Sequence, residues 1–177
     1  MSSAAVSVTI VETKRLVVRE LAEYDAEFIF ELLNTPSFIK YIGDRSVRSV
    51  DDARTFIETR YRQSYRDHGY GLFAVDLKSD GTPIGMCGFV RRDSLPGPDI
   101  GFAFLPEHER KGYGFESALA VMKYGRDTLG FTELYAITSL DNDASGRLLT
   151  KLGFEFSKQI ETPEGETIKL FHFEYSS

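Results

Sequence analysis

The chain has 177 residues, a mass of 20.0 kDa, a formal net charge of −6 and a pI of about 5.2. This length suits one domain, and apolar and charged shares of 42% and 27% indicate a globular protein rather than a disordered one. The acidic balance argues against a broad nucleic-acid-binding surface, which needs excess Lys and Arg. No apolar run approaches the roughly 20 residues of a membrane span.

Cysteine content and the N-terminus indicate the compartment. The single cysteine, Cys87, permits no internal disulfide and lies among apolar residues, which predicts a buried structural thiol in a reducing compartment. Residues 1–9 lack the charged start and apolar middle of a signal peptide, so we expect a cytoplasmic protein. The three histidines, His68, His108 and His172, are scattered, and we expect no metal site.

The first third of the chain predicts one strand and two helices. Residues 15–21 are typical of a strand, and residues 28–33 carry apolar side chains at helical spacing before Pro36 ends that helix. A capping box that begins at Ser49 opens a second helix, which runs towards Asp67 and is ended by a glycine.

The rest of the chain alternates between strands and helices. Three strands are predicted at 71–77, 83–90 and 99–105. A long helix after Pro106 has Phe115, Leu119, Met122 and Leu129 on its predicted buried face. A strand at 134–138, a helix at 144–151 and strands at 154–160 and 168–175 complete the order. This order predicts a mixed α/β (α+β) fold, with a largely antiparallel sheet of about six to seven strands and about four helices.

A basic, glycine-rich loop joins the predicted strand 99–105 to the long helix. The first amides of a helix have no intrahelical acceptor, and the helix dipole favours an anion there. Gly112 and Gly114 allow close backbone approach, while Arg110 and Lys111 add positive charge. The loop therefore indicates a phosphate site. The alternative is an ordinary loop with turn glycines, since neither a P-loop nor a dinucleotide fingerprint is present.

A second polar segment, Asn142 to Ser145, leads into the last predicted helix. That helix ends at Lys151 and is followed by Gly153 and Phe154. Taken singly, Asn142 can be a helix N-cap and Gly153 a C-cap.

Together these segments resemble the GNAT superfamily of N-acetyltransferases, and most of all its Rim-type branch, which acetylates ribosomal-protein N-termini. The family loop Gln/Arg-x-x-Gly-x-Gly/Ala is similar to residues 109–114, with Glu109 at its first position. The family's Asn-x-x-Ser/Ala block followed by Lys-x-Gly-Phe is similar to residues 142–154. Residues 13–19 and 99–102 resemble the family's first and fourth strands.

The resemblance implies the GNAT fold, splayed between the fourth and fifth predicted strands, in a single domain over 1–177 with its core at about 13–175. It implies acetyl-CoA as cosubstrate and no metal. The implied acetyl-CoA contacts are Phe102, Phe104, Leu105, Arg110, Lys111, Gly112, Tyr113, Gly114, Phe115, Glu116, Asn142 and Ser145. Leu149 stands where many relatives carry a tyrosine that protonates the leaving thiolate, and the resemblance gives that role to Ser145.

An attacking amine arrives mostly as ammonium, so a base must remove its proton. Asp99, Glu161 and Glu164 are the candidates, and the sequence leaves the choice among them open. The implied acceptor walls are residues 34–48 and the hairpin after Ile160.

Three functions follow from the resemblance and from the positions at which this sequence differs from the family pattern. The first is N-acetylation of a protein N-terminus or another peptide amine, and the second is acetylation of a small amine such as a polyamine, an antibiotic or an amino-acid derivative. The third is a non-catalytic CoA-binding sensor or interaction module, suggested by Glu109. The expected partners are acetyl-CoA and an amine acceptor, without nucleic acid or membrane, in a monomer or homodimer.

Overall fold

The computed structural model describes residues 7–176. Its strands are β1 (Thr9–Glu12), β2 (Leu16–Arg19), β3 (Leu72–Leu77), β4 (Pro83–Val90), β5 (Asp99–Phe104), β6 (Glu133–Ser139), β7 (Glu155–Glu161) and β8 (Thr167–Glu174). Its α-helices are α1 (Ala26–Leu33), α2 (Pro36–Tyr41), α3 (Val50–Phe56), α4 (Gln63–His68), α5 (Tyr113–Asp127) and α6 (Asp143–Lys151). The predicted mixed α/β fold with a mostly antiparallel sheet is confirmed.

The sheet has one strand more than predicted, because β1 was not predicted. β1 pairs antiparallel with β2, yet only Ile10 and Val11 in its four residues are apolar, which leaves little pattern to detect. Residues 1–6, which enter the signal-peptide expectation, and residue 177 lie outside the described residues.

The predicted helix over residues 28–33 is α1, which ends at Leu33 before Pro36. Pro36 also begins α2, where its missing N–H costs nothing, and the Thr35 hydroxyl accepts a hydrogen bond from the Phe38 amide (3.2 Å). The prediction that Leu119 lies on the buried face of α5 is wrong, since Leu119 is 50% exposed and Ala118 and Val121 are buried instead. The predicted helix towards Asp67 is confirmed as α3, a π-helical segment (Ile57–Arg62) and α4 in unbroken succession.

All eight strands form one sheet in the order β1-β2-β3-β4-β5-β6-β8-β7. Neighbours are antiparallel except β5 and β6, which are parallel and share a single residue pair, Asp99 with Tyr135. The Tyr135 amide donates to the Pro98 carbonyl (3.0 Å) at that point. Beyond it the strands diverge, which confirms the splay expected between the fourth and fifth predicted strands.

Each face of the sheet carries its own hydrophobic core. One core packs under α5 and α6 and includes Ile100 and Phe104, whereas the other packs under α1 and α3 and includes Ala103. Because side chains alternate along a strand, β5 contributes to both cores. The gap beside β5 therefore lies between two helical layers.

A buried ion-pair network attaches the α1 layer to the sheet. The guanidinium of Arg19, on β2, pairs with Asp25 just before α1 (2.8 Å) and with Asp76 on β3 (2.6 Å). Buried charges are tolerated when they are paired and hydrogen-bonded in this way. The network fixes the start of α1 relative to the central strands.

The structure also shows the environment of Cys87 and the character of the helices. Cys87 is buried, and burial raises the pKa of its thiol to about 12, which fits a structural thiol. Within residues 7–176, no α-helix combines the length and apolar character that crossing a bilayer requires.

Candidate active site

A cleft of about 1480 Å³ opens where β5 and β6 diverge. Residues 101–104 of β5 and 136–139 of β6 form its two edges, and the loop before α5 and the start of α6 close one side. Segments from α2 to α4 and the β7–β8 turn close the other. Ligand sites for one small molecule usually measure about 300–1,000 Å³, so this cleft has room for two substrates.

The loop before α5 has the geometry of a phosphate-binding site. Arg110 and Gly112 both adopt left-handed backbone conformations, with φ of 62° and 83°. Among residues 7–176, the amides of residues 110–115 have no backbone acceptor. These amides and the N-terminal end of the α5 dipole are therefore available to a phosphate group. A non-glycine residue at positive φ, such as Arg110, is strained, and such strain concentrates at functional sites.

Both loop glycines are required by close contacts. A Cβ at Gly112 would lie 3.2 Å from Nη2 of Arg15, and one at Gly114 would lie 3.2 Å from Cδ2 of Leu148 on α6. The loop thus packs tightly against the β1–β2 turn on one side and α6 on the other.

Glu116 supports this loop from behind. Its Oε2 accepts hydrogen bonds from the Thr13 hydroxyl (2.5 Å) and the Arg15 amide (3.0 Å), and its Oε1 pairs with Arg15 Nε (2.7 Å). The Arg15 guanidinium lies 4.4 Å from the centre of the Tyr113 ring. Glu116 therefore fastens the first turn of α5 to the β1–β2 turn and does not line the cleft.

Asn142 and Ser145 lie together at the start of α6. The Asn142 side-chain oxygen caps the helix by accepting the Ser145 amide (3.2 Å), and both residues line the cleft. The capping role considered from the sequence and a place at the cleft are thus compatible. Leu149, one turn further along, is 1% exposed and also lines the cleft, but it has no proton to give.

Asp99 is a buried carboxylate at the point where β5 and β6 separate. It is 1% exposed and lines the cleft, and Arg92 Nε lies 3.2 Å from its Oδ1. Burial raises the pKa of Asp99 to about 6, against the opposing effect of Arg92. A carboxylate with this pKa is largely ionised at neutral pH and can accept a proton.

Two buried polar atoms at the cleft have no hydrogen-bond partner among residues 7–176. They are Oδ1 of Asp99 and the hydroxyl oxygen of Thr138 on β6. Arg92 Nε is within ion-pair distance of Oδ1 but donates its hydrogen bond to the other carboxylate oxygen, Oδ2 (3.3 Å). Unsatisfied buried groups are costly, so their position at the cleft wall indicates that a bound molecule or water satisfies them.

The other two candidate bases, Glu164 and Glu161, differ in their position relative to the cleft. Glu164, in the β7–β8 turn, lines the cleft together with Thr162 and Glu166. Glu161, at the end of β7, is exposed and lies outside the cleft wall.

Most of the sequence-predicted site residues meet in this cleft. It brings together Asp99, Phe102, Phe104, Arg110, Gly112, Tyr113, Gly114, Phe115, Asn142, Ser145 and Glu164. It does not include Leu105, which is buried in the core under α1, the exposed Lys111, or Glu116 and Glu161. The sequence did not indicate Thr138, Arg60 or Arg92, because no motif marks them and only the fold brings them to the cleft. Arg45 lies in the implied acceptor wall of residues 34–48, but no motif singles it out.

Comparisons with known proteins agree with this geometry. The family model described as an acetyltransferase (GNAT) domain matches residues 15–155. The uncharacterized N-acetyltransferase YoaA of Bacillus subtilis (strain 168) is 31% identical over 147 residues, which cover 82% of each chain.

Two solved structures share the fold at low sequence identity. The ribosomal L7/L12 α-N-protein acetyltransferase RimL has a TM-score of 0.81 at 12% identity, over 99% of this chain and 98% of that chain. The microcin C7 self-immunity acetyltransferase MccE, solved with acetyl-CoA and AMP, has a TM-score of 0.78 at 16% identity, over 92% of this chain and 94% of that chain.

The substitution Gly112→Glu tests whether the loop before α5 binds the phosphate groups of acetyl-CoA. It adds a side chain at positive φ, against Arg15, and a negative charge beside the loop amides. We expect no acetyl-CoA binding by calorimetry. Gly81→Glu is the matched control, because Gly81 also has positive φ (75°) but has open space around its α-carbon. Wild-type affinity in Gly112→Glu would contradict the assignment of this loop.

Proposed function

The chain belongs to the GNAT acetyltransferase family, and from this premise we propose that it transfers acetyl from acetyl-CoA to the N-terminal amine of a protein or peptide. The observation that carries the proposal is the meeting, in one cleft, of a loop with unpaired amides and a buried carboxylate. The volume of the cleft leaves room for an acceptor between its cofactor side and the wall formed by segments from α2 to α4. The likeness in fold to RimL, a ribosomal-protein acetyltransferase, adds support.

The cleft residues fit acetyl-CoA in two places. The free amides of residues 110–115, with Arg110 beside them, suit the pyrophosphate. The edge of β5 at residues 101–104 faces the gap where β6 has diverged, and its backbone groups suit the amide-bearing pantetheine arm.

We assign the base to Asp99. Acetyl-CoA supplies a thioester whose carbonyl carbon forms the new C–N bond with the amine as its C–S bond breaks. Asp99 takes the ammonium proton at Oδ1, the oxygen that lacks a hydrogen bond within the described residues. Glu164 is exposed on the β7–β8 turn, whereas Asp99 is buried at the point where β5 and β6 separate, so Glu164 is the weaker candidate.

Ser145 supports the other proton transfer. It lies on the α6 side of the cleft, and its hydroxyl is a donor that can protonate the departing thiolate. The second proton of the amine, which leaves the nitrogen as the amide forms, returns to the Ser145 oxygen. Leu149 cannot act in its place. The two proton-transfer groups thus belong to different elements, β5 and α6.

Mass spectrometry of mixed acceptors tests the function. We expect acetylation, with acetyl-CoA, of peptides that have a free N-terminus, and none of the same peptides when the N-terminus is blocked. Transfer only to polyamines or other small amines would replace the peptide assignment. Acetyl-CoA binding without transfer to any amine would favour a sensor.

The pH profile separates the roles of Asp99 and Ser145. Because Asp99 must be ionised to accept a proton, kcat/KM should fall as the pH drops through about 6. Asp99→Asn should lose roughly 10²–10⁴-fold in kcat and remove that step from the profile. Ser145→Ala should lower kcat but leave the fall in kcat/KM near pH 6 in place. An unchanged step in Asp99→Asn would show that another group is the base.

A further inference from the structure

Three arginines from three different elements line the acceptor side of the cleft. Arg45 lies between α2 and α3, Arg60 lies in the π-helical segment, and Arg92 follows β4. All three line the same cleft, and the charges of Arg92 and Arg60 both repel that of Arg45.

Arg45 and Arg60 differ from the other arginines of the same segments. Arg48, Arg54, Arg62 and Arg66 all form ion pairs with nearby carboxylates, and none of them lines the cleft. Arg45 and Arg60 line the cleft and have no carboxylate within ion-pair distance among residues 7–176. Within these segments, the two arginines that line the cleft are the two without a carboxylate partner, whereas Arg92 lies beside Asp99.

Arg45 and Arg60 are exposed residues on the cleft wall, so both guanidinium groups are accessible to a ligand. The pKa of Arg45 is lowered, chiefly by desolvation against the surrounding protein and further by Arg92 and Arg60, while Tyr61 and Glu164 act in the opposite direction. Arginine does not lose its proton in proteins, so Arg45 remains a cation.

The acidic groups of the same wall are largely engaged elsewhere. Asp44 pairs with Arg48 (2.6 Å), Asp67 accepts from Gln63 (2.8 Å), and Asp99 lies beside Arg92. Glu164 and Glu166 lie on the exposed β7–β8 turn. An additional anion in the cleft would therefore be stabilised by Arg45 and Arg60.

We infer that the acceptor carries a carboxylate close to its amine, and that Arg45 and Arg60 bind this carboxylate. The inference rests on the proposed function and specifies its substrate class. Guanidinium groups bind carboxylates through strong, charge-assisted hydrogen bonds, and they discriminate against neutral analogues that leave them unpaired. An acidic residue next to a peptide N-terminus and a free acidic amino acid share this chemistry.

Binding to the enzyme–CoA complex tests the inference without requiring turnover. The probes are the peptide Ser-Glu-Glu-Ala-Ala-Phe and its counterpart with both Glu replaced by Gln, titrated by calorimetry at one ionic strength. We expect the acidic peptide to bind at least about tenfold more tightly, a difference of ~1.4 kcal/mol. Free glutamate and glutamine, as competitors, distinguish a small acceptor from a peptide.

Arg45→Gln and Arg60→Gln should each reduce the preference for the acidic peptide and leave the affinity for CoA unchanged. Arg126→Gln is the matched control, since Arg126 is an exposed arginine on α5 that pairs with Asp127 and does not line the cleft. Melting temperatures check that each variant is folded.

Equal binding of the two peptides would overturn the inference, as would a lack of binding by both peptides together with no preference for glutamate over glutamine. A preference that survives when Arg45→Gln and Arg60→Gln are combined in one protein would overturn it too. The proposed function fails separately. Failure of the wild-type protein to bind CoA would remove the cofactor cleft itself, whereas intact CoA binding without an acidic preference would remove only the role of the arginines.

Discussion

The single pair between Asp99 and Tyr135 keeps β5 beside β6, and the candidate site depends on their divergence beyond it. Backbone N–H and C=O groups that no longer pair with a neighbouring strand must find other hydrogen-bond partners or remain unsatisfied. The edge of β5 along residues 101–104 is therefore both a cost to the free protein and a ready partner for an extended, amide-bearing ligand. A fully paired sheet would have no cleft at this position.

The two layers of helices give the two sides of the cleft different chemistry. The α5–α6 layer supplies free amides, Asn142 and Ser145, which suit an anionic ligand and its thioester end. The α1–α4 layer supplies arginines and aromatic side chains, which suit an acceptor. Asp99 lies at the junction, where β5 and β6 still touch, which is the position that the proposed mechanism requires for its base.

Sequence patterns indicate the proposed cofactor side of the cleft more fully than the proposed acceptor side. The loop from Arg110 to Gly114 is continuous in the chain, and its glycines and helix start have a direct physical meaning. The acceptor side is assembled from separate segments, so Arg45 and Arg60 carry no local signal. The sequence also could not show that Glu116 turns away from the cleft to bind Arg15, because that contact joins residues 101 positions apart. Nor could it rank the three carboxylates, since only burial singles out Asp99.

Amide hydrogen exchange with and without acetyl-CoA tests most directly that the gap beside β5 is the cofactor site. Slower exchange is expected in residues 101–104 and 110–115 when acetyl-CoA is bound, with β1 to β3 unchanged. Binding detected by a rise in melting temperature, but with exchange unaltered in both segments, would contradict the assignment of this cleft to acetyl-CoA.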